Sequence, residues 1–162
     1  RKYTTEQYLE KINKIRSYLP NIAFTTDVIV GFPGETDEEF QATYDFIKKV
    51  NYSQLHVFPY SPRKNTPAAK MKDQVNDQVK HQRVERLLEL SKQLNYDFAM
   101  KPIDKTLKVL FEKPLGHYLI GHASDYLQVK VKTNENLIGE IVNIKIEKYS
   151  DMLEGSIASW NT

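Results

Sequence analysis

The sequence predicts an α/β chain in two parts: strand–helix units over residues 1–102, then a small antiparallel β-barrel of OB-like size over residues 103–162. Three observations carry this. Thr25-Thr26-Asp27-Val28-Ile29-Val30 is rich in β-branched residues, ends in the turn Gly31-Phe32-Pro33-Gly34 and opens into an acidic helix start, which is one βα unit. Pro102 closes a long stretch of helical period, and from Ile103 apolar and polar residues alternate as in half-buried antiparallel strands. The alternating segments are short and number about five, the count at which a small sheet closes on itself and hides its edges.

In order along the chain, Thr4 and Gln7 have the spacing of a capping box, and Tyr8, Ile12, Ile15 and Leu19 follow at helical spacing until Pro20. Ile22 to Val30 reads as a strand buried on both faces, because Val28, Ile29 and Val30 are contiguous and apolar. Thr36 with Glu39 makes a second capping box, and Phe40, Tyr44 and Ile47 form the apolar face of the helix it starts. Gln54 to Tyr60 is a second strand, which Pro59 stops, and Ser61 to Ala69 is a proline-containing loop at its exit. A long amphipathic helix runs from Asn76 to about Lys101, with Val79, Val84, Leu87, Leu88, Leu94 and Phe98 on its buried side. Lys80, Arg83, Arg86 and Lys92 make its other face basic, either as a solvated surface or as part of a polyanion site. Beyond Pro102 the strands centre on Leu107 to Phe111, Tyr118 to Ala123, Val129 to Val131, Val142 to Ile146 and Gly155 to Ser159.

With 162 residues, 40% hydrophobic and 27% charged, the composition is that of an ordinary globular chain. No apolar run approaches the length that crosses a bilayer, and no signal-peptide core precedes the first helix, so the expected location is cytoplasmic, with no membrane partner. The absence of cysteine excludes disulfides, a cysteine nucleophile and an iron–sulfur cluster held by this stretch, and the four histidines show no metal spacing. A formal charge of +2 does not by itself argue for nucleic acid. The last sixty residues carry seven Lys against eight acids, so their RNA-facing candidates are specific: Lys130 and Lys132, with Tyr118, Tyr126, Tyr149 and Trp160 as residues that either pack or stack on bases. The first residue is Arg1 and a helix start follows at once, which reads as a piece of something longer.

Two segments carry a resemblance. Thr26-Asp27-Val28-Ile29-Val30-Gly31-Phe32-Pro33-Gly34-Glu35-Thr36 and Leu55-His56-Val57-Phe58-Pro59-Tyr60-Ser61-Pro62-Arg63-Lys64-Asn65-Thr66-Pro67-Ala68 together resemble the radical-SAM methylthiotransferases. The resemblance runs nearly end to end and implies the last strands of a partial (β/α) barrel followed by a TRAM β-barrel. It also implies S-adenosylmethionine and an iron–sulfur cluster as cofactors, the cluster cysteines lying upstream. By the same resemblance, Asp27, Ile29, Gly31, Phe58, Tyr60, Ser61 and Arg63 form the cofactor side, and Arg63 could pair with an anionic group of cofactor or RNA. Asp27 stands where the family pattern has its first Gly. Glu35 falls one residue late and is assigned to the helix start, and Asn65 replaces a Gly as the next residue most tolerant of positive φ. The implied partner is the tRNA anticodon stem-loop, held by the TRAM part. The wording of the second segment is closest to the branch acting on threonylcarbamoyladenosine, with the isopentenyladenosine and ribosomal-protein branches as alternatives. A non-enzymatic RNA-binding protein is the alternative of another class, against which stand the unpaired strand edges that two βα units leave.

Overall fold

The computed structural model describes residues 2–159, and its first element, helix α1 (Thr5–Tyr18), starts at the expected capping box. The Gln7 N–H donates to the Thr4 hydroxyl and the Thr4 N–H to the Gln7 side chain. Strand β1 (Thr25–Val30) follows, then α2 (Asp37–Val50), whose box is closed in the same way by Thr36 and Glu39. Strand β2 (Gln54–Pro59) lies parallel to β1, with Asp27 opposite His56 and Ile29 opposite Phe58. A short 3-10 turn (Ala68–Lys70) interrupts the loop before the long helix α3 (Asp77–Met100).

The chain divides into two compact units between Asn95 and Tyr96, within α3. In the first unit, Ile12, Val30, Phe40, Ile47, Val50, Tyr52, Leu55, Leu87, Leu90 and Leu94 form one buried cluster, with Val28 and Val57 packed on it. Each large side chain so buried contributes about 1.5–3 kcal/mol. The helices therefore cover one face of the two-stranded sheet. The expectation that β1 is buried on both faces is corrected, since Thr25, Asp27 and Ile29 are exposed, as are His56 and Phe58 on β2. A contiguous apolar run looks the same whether its second face meets helices or is left open, and here α1, α2 and α3 all supply residues to the Val28 and Val30 side. Among the described residues β1 and β2 pair only with each other, so each has one unpaired edge.

The second unit is a closed barrel of β3 (Thr106–Leu115), β4 (Tyr118–Ala123), β5 (Gln128–Lys132), β6 (Ile141–Tyr149) and β7 (Leu153–Ser159), in the order β3-β4-β5-β7-β6 with β6 returning to β3. Val109, Phe111, Val129, Val131, Val142, Ile144, Ile146 and Leu153 fill it. Its pairs are antiparallel except one: β5 runs parallel to β7, with Val129 opposite Leu153 and Val131 opposite Gly155. The wholly antiparallel barrel expected from the alternation is corrected at that seam, because a residue period of two fixes which side chains point inward but not which strand lies alongside. Gly121 sits where a Cβ would come within 2.2 Å of the Leu110 carbonyl oxygen, so β3 and β4 approach too closely there for any side chain.

Gly31 is constrained twice. Its φ is +71°, and a Cβ would lie 2.4 Å from the Lys80 Cγ of α3, whose side chain is buried. Gly31→Ala is therefore expected to lower the unfolding free energy in urea titration by about 2–3 kcal/mol, combining backbone strain with overpacking. A loss within a few tenths of a kcal/mol would show that α3 yields freely at this point.

Candidate functional site

The carboxyl ends of β1 and β2 open into a cleft of about 620 Å³, lined by Asp27, Ile29, Phe58, Tyr60, Ser61 and Arg63, with Thr66 and Ala68 of the following loop. Six of the seven residues assigned to the cofactor side thus meet in one place; Gly31 is not among the lining. The strand register explains the grouping. Asp27 and Ile29 point to the open face with their partner Phe58, and Ile29 and Phe58 keep 58% and 50% of their surface exposed. Apolar side chains presented so openly at a strand end make an adhesive wall beside a carboxylate and a guanidinium.

The loop that carries Arg63 is held by local bonds. The Thr66 hydroxyl donates to the Arg63 carbonyl at 2.8 Å, and the Ala69 N–H donates to that hydroxyl at 3.3 Å. Asn65 adopts φ +70°, the conformation for which a Gly or Asn is needed. Tyr60 is fixed to β1 through its N–H, which donates to the Val30 carbonyl at 2.8 Å, and its ring meets Phe32 edge-on at 5.3 Å. Its hydroxyl oxygen is buried and has no hydrogen-bond partner.

Beneath the cleft, one carboxylate joins the strand end to α3. Glu35 Oε2 accepts the Gly31 N–H at 2.6 Å and an Arg83 guanidinium N–H at 2.5 Å. Arg83 also donates to the Glu35 carbonyl at 3.2 Å and to Asp37 at 2.7 Å, and its guanidinium lies 5.3 Å from the Phe40 ring centroid. Glu35 is therefore not a capping residue, as expected from its position; Thr36 and Glu39 do that work, and Glu35 braces the turn. The basic face of α3 is corrected too. Lys80 and Arg83 are buried, and Arg86 lies over Phe40 while donating to Gln41 at 2.8 Å. The other two cations keep the expected open face: Arg86 is exposed despite its contacts, and Lys92 is exposed beside Glu89. Leu88, expected inside, is exposed. The signal was present in the spacing: Lys80, Arg83, Leu87, Leu90 and Leu94 fall on one heptad stripe, so the two cations share the apolar side.

On the barrel, Lys130 is occupied. Its ammonium pairs with Asp151 at 2.5 Å and Glu154 at 3.1 Å, donates to Ser150 at 3.2 Å and lies 5.6 Å from the Tyr118 ring centroid. Glu154 also binds Lys148 at 2.6 Å. Bonds from these lysines hold the Asp151 and Glu154 carboxyls below the usual carboxylate range, and the same bonds raise Lys130 and Lys148. Lys130, an RNA-facing candidate by sequence, is engaged by two acids that the sequence keeps more than twenty residues away. Lys132 is exposed on the same strand. Tyr149 packs edge-on against Tyr96 at 5.6 Å, Tyr126 is 86% exposed, and Trp160 lies outside the described residues. Among the described residues no helix is long and apolar enough to cross a membrane.

A cleft at the carboxyl ends of parallel strands is where α/β proteins commonly place their sites, and residues 1–47 match the family model described as Radical SAM superfamily. Over nearly all of its length the chain is similar to radical SAM methylthiotransferases. It is 46% identical over 153 residues to the threonylcarbamoyladenosine tRNA methylthiotransferase MtaB of Bacillus subtilis, an alignment covering 91% of this chain and 34% of that protein. To the tRNA-2-methylthio-N(6)-dimethylallyladenosine synthase of Aquifex aeolicus it is 44% identical, covering 97% of this chain and 36% of that protein. The synthase of the same name from Acetivibrio thermocellus is 42% identical over 97% of this chain and 34% of its own length. The chain spans about a third of the length of the curated relatives it matches.

Two outcomes are expected from these contacts. Arg83→Ala, which leaves the Glu35 carboxylate uncompensated, should lower the unfolding free energy by about 3 kcal/mol, and the double variant Arg83→Met with Glu35→Gln by clearly less. Because the folded-state pKa values of Asp151 and Glu154 are depressed, their contribution is complete above the ordinary carboxylate value near ~4 and is lost as pH falls through the lower folded values. Thermal melts of the barrel should thus fall off on acidification below about pH 4, with a shallower decline in Asp151→Asn with Glu154→Gln. Parallel declines in the two proteins would remove the cluster from the acid response.

Proposed function

We propose that this chain is part of a tRNA-modifying radical SAM methylthiotransferase that adds a methylthio group to threonylcarbamoyladenosine beside the anticodon. The observation that carries the reading is the cleft at the ends of β1 and β2, which joins residues from both family-like segments. Its chemistry fits S-adenosylmethionine. Ile29 and Phe58 offer an apolar wall to adenine, the Asp27 carboxylate accepts from ribose hydroxyls or the amino group, and the Arg63 fork suits the carboxylate. The buried, unpartnered Tyr60 hydroxyl is a donor that a ligand would satisfy, and about 620 Å³ lies within the ~300–1,000 Å³ of small-molecule sites.

When bound beside a reduced iron–sulfur cluster, the cofactor supplies the radical chemistry, and the protein contributes orientation and exclusion of water. This chain has no cysteine, so its own residues do not fit the cluster. The residues here hold and orient: Asp27 and Arg63 fix the two polar ends, while Ile29 and Phe58 exclude water from the ring. A partial (β/α) barrel accounts for the unpaired edge of β1. A groove of about 440 Å³ runs along that strand, lined by Thr26, Asp27, Val28 and Ile29 from both of its faces. The five-stranded barrel, read as a TRAM domain of OB-like kind, would hold the anticodon stem-loop through exposed Lys132 and half-buried Tyr118.

The threonylcarbamoyladenosine substrate is favoured by the 46% identity to the Bacillus subtilis relative and by the Leu55-His56-Val57-Phe58 wording. The dimethylallyladenosine relatives define the second reading. Mass spectrometry of tRNA nucleosides from cells lacking the gene, and from cells restored with it, separates them. The expected result is loss and return of the methylthio group on threonylcarbamoyladenosine, with Asp27→Ala restoring about tenfold less or lower. Return on dimethylallyladenosine instead would move the substrate to the second reading, and no change in either nucleoside would end the assignment.

A further inference from the structure

A second cleft, of about 440 Å³, adjoins the first and shares Tyr60 and Ser61 with it; Asp77, Lys80, His81 and Val84 of α3 form its other side. Its central cation is unusual in its surroundings. The Lys80 stem passes over Gly31, where the missing Cβ makes room, and its side chain is only 8% exposed. The ammonium lies 5.8 Å from the Tyr60 ring centroid and pairs with Asp77 at 2.9 Å, yet the Asp77 side chain is 98% exposed. A carboxylate so fully in water holds a cation weakly and can be displaced, whereas a lysine with a buried stem cannot withdraw.

The remaining groups are donors or neutral. Ser61 lines the cleft, as does the exposed His81, whose Nε2 lies 3.3 Å from the equally exposed Glu85 carboxylate, and the first turn of α3 brings its positive end to the same place. Donors gathered around a displaceable ion pair complement a group with only acceptors and a negative charge. The neighbouring cofactor cleft already has Arg63 for a carboxylate, and a strand whose nucleoside enters that cleft must lay its backbone beside it.

We infer that the second cleft is a phosphodiester subsite, in which Lys80 exchanges Asp77 for the backbone of the RNA whose modified nucleoside faces the cofactor cleft. The inference rests on the tRNA reading above and adds to it a residue that the two family-like segments do not contain. The site would be read by charge and not by sequence.

The test is titration of the full chain with an anticodon stem-loop oligoribonucleotide, followed by fluorescence anisotropy over a series of salt concentrations. Lys80→Met keeps the stem over Gly31 and removes the charge. It should bind about tenfold more weakly at low salt, with a salt slope less steep by about one and an unchanged melting temperature. Asp77→Asn, which removes the competing acceptor, should bind about threefold more tightly. Lys132→Ala should lower the slope independently, since it belongs to the other unit. Wild-type affinity and slope in Lys80→Met overturn the inference and leave the tRNA reading standing. Failure of the unaltered chain to bind overturns both. If Lys80→Met melts early, Asp77→Asn decides: unchanged affinity overturns the subsite, tighter binding supports it.

Discussion

The first unit depends on a buried guanidinium. Arg83 cannot be left in the interior of α3 without acceptors, and it finds them on Glu35 and Asp37 at the turn between β1 and α2. Once Glu35 is drawn to Arg83, its other bond fixes the Gly31 N–H, and the end of β1 is tied to a helix that begins more than forty residues later. Gly31 must then stay bare because the Lys80 stem, one turn before Arg83, crosses it. Tyr60, bonded to Val30, brings the end of β2 into the same assembly. The two clefts are thus placed by one ion pair and one missing side chain.

The sheet divides labour by residue parity. Val28 and Val30 enter the core, while Asp27 and Ile29, one position off, face the cleft with Phe58. A one-residue slip in register would exchange the two sets, so the packing of the core also guarantees the lining of the cleft. Stability and binding are therefore not separable on this strand: the core that fixes Val30 sets where Asp27 stands.

The barrel handles its charge differently. Two of its lysines, Lys130 and Lys148, are held by Asp151 and Glu154. This cluster clasps the β5 and β7 seam, where the parallel pair closes the barrel. Cations used in that way stabilise the fold and contribute little field toward a polyanion. Lys132, on the same strand as Lys130, stays exposed.

Much of this was legible in the residues. Both capping boxes, the strand–turn–helix order, the β alternation and the positive φ of Asn65 follow from local chemistry, because each is decided by atoms within a few residues of one another. The grouping of Asp27, Ile29 and Phe58 was legible as well, through the two segments that carry them. The burial of Lys80 and Arg83, the brace made by Glu35, the parallel closure of β5 on β7 and the capture of Lys130 by Asp151 and Glu154 were decided only by the tertiary structure. Period tells which side chains share a face; it does not say which face is covered, nor what distant group waits there. A cation on a helix is a surface charge until the fold brings it a buried carboxylate.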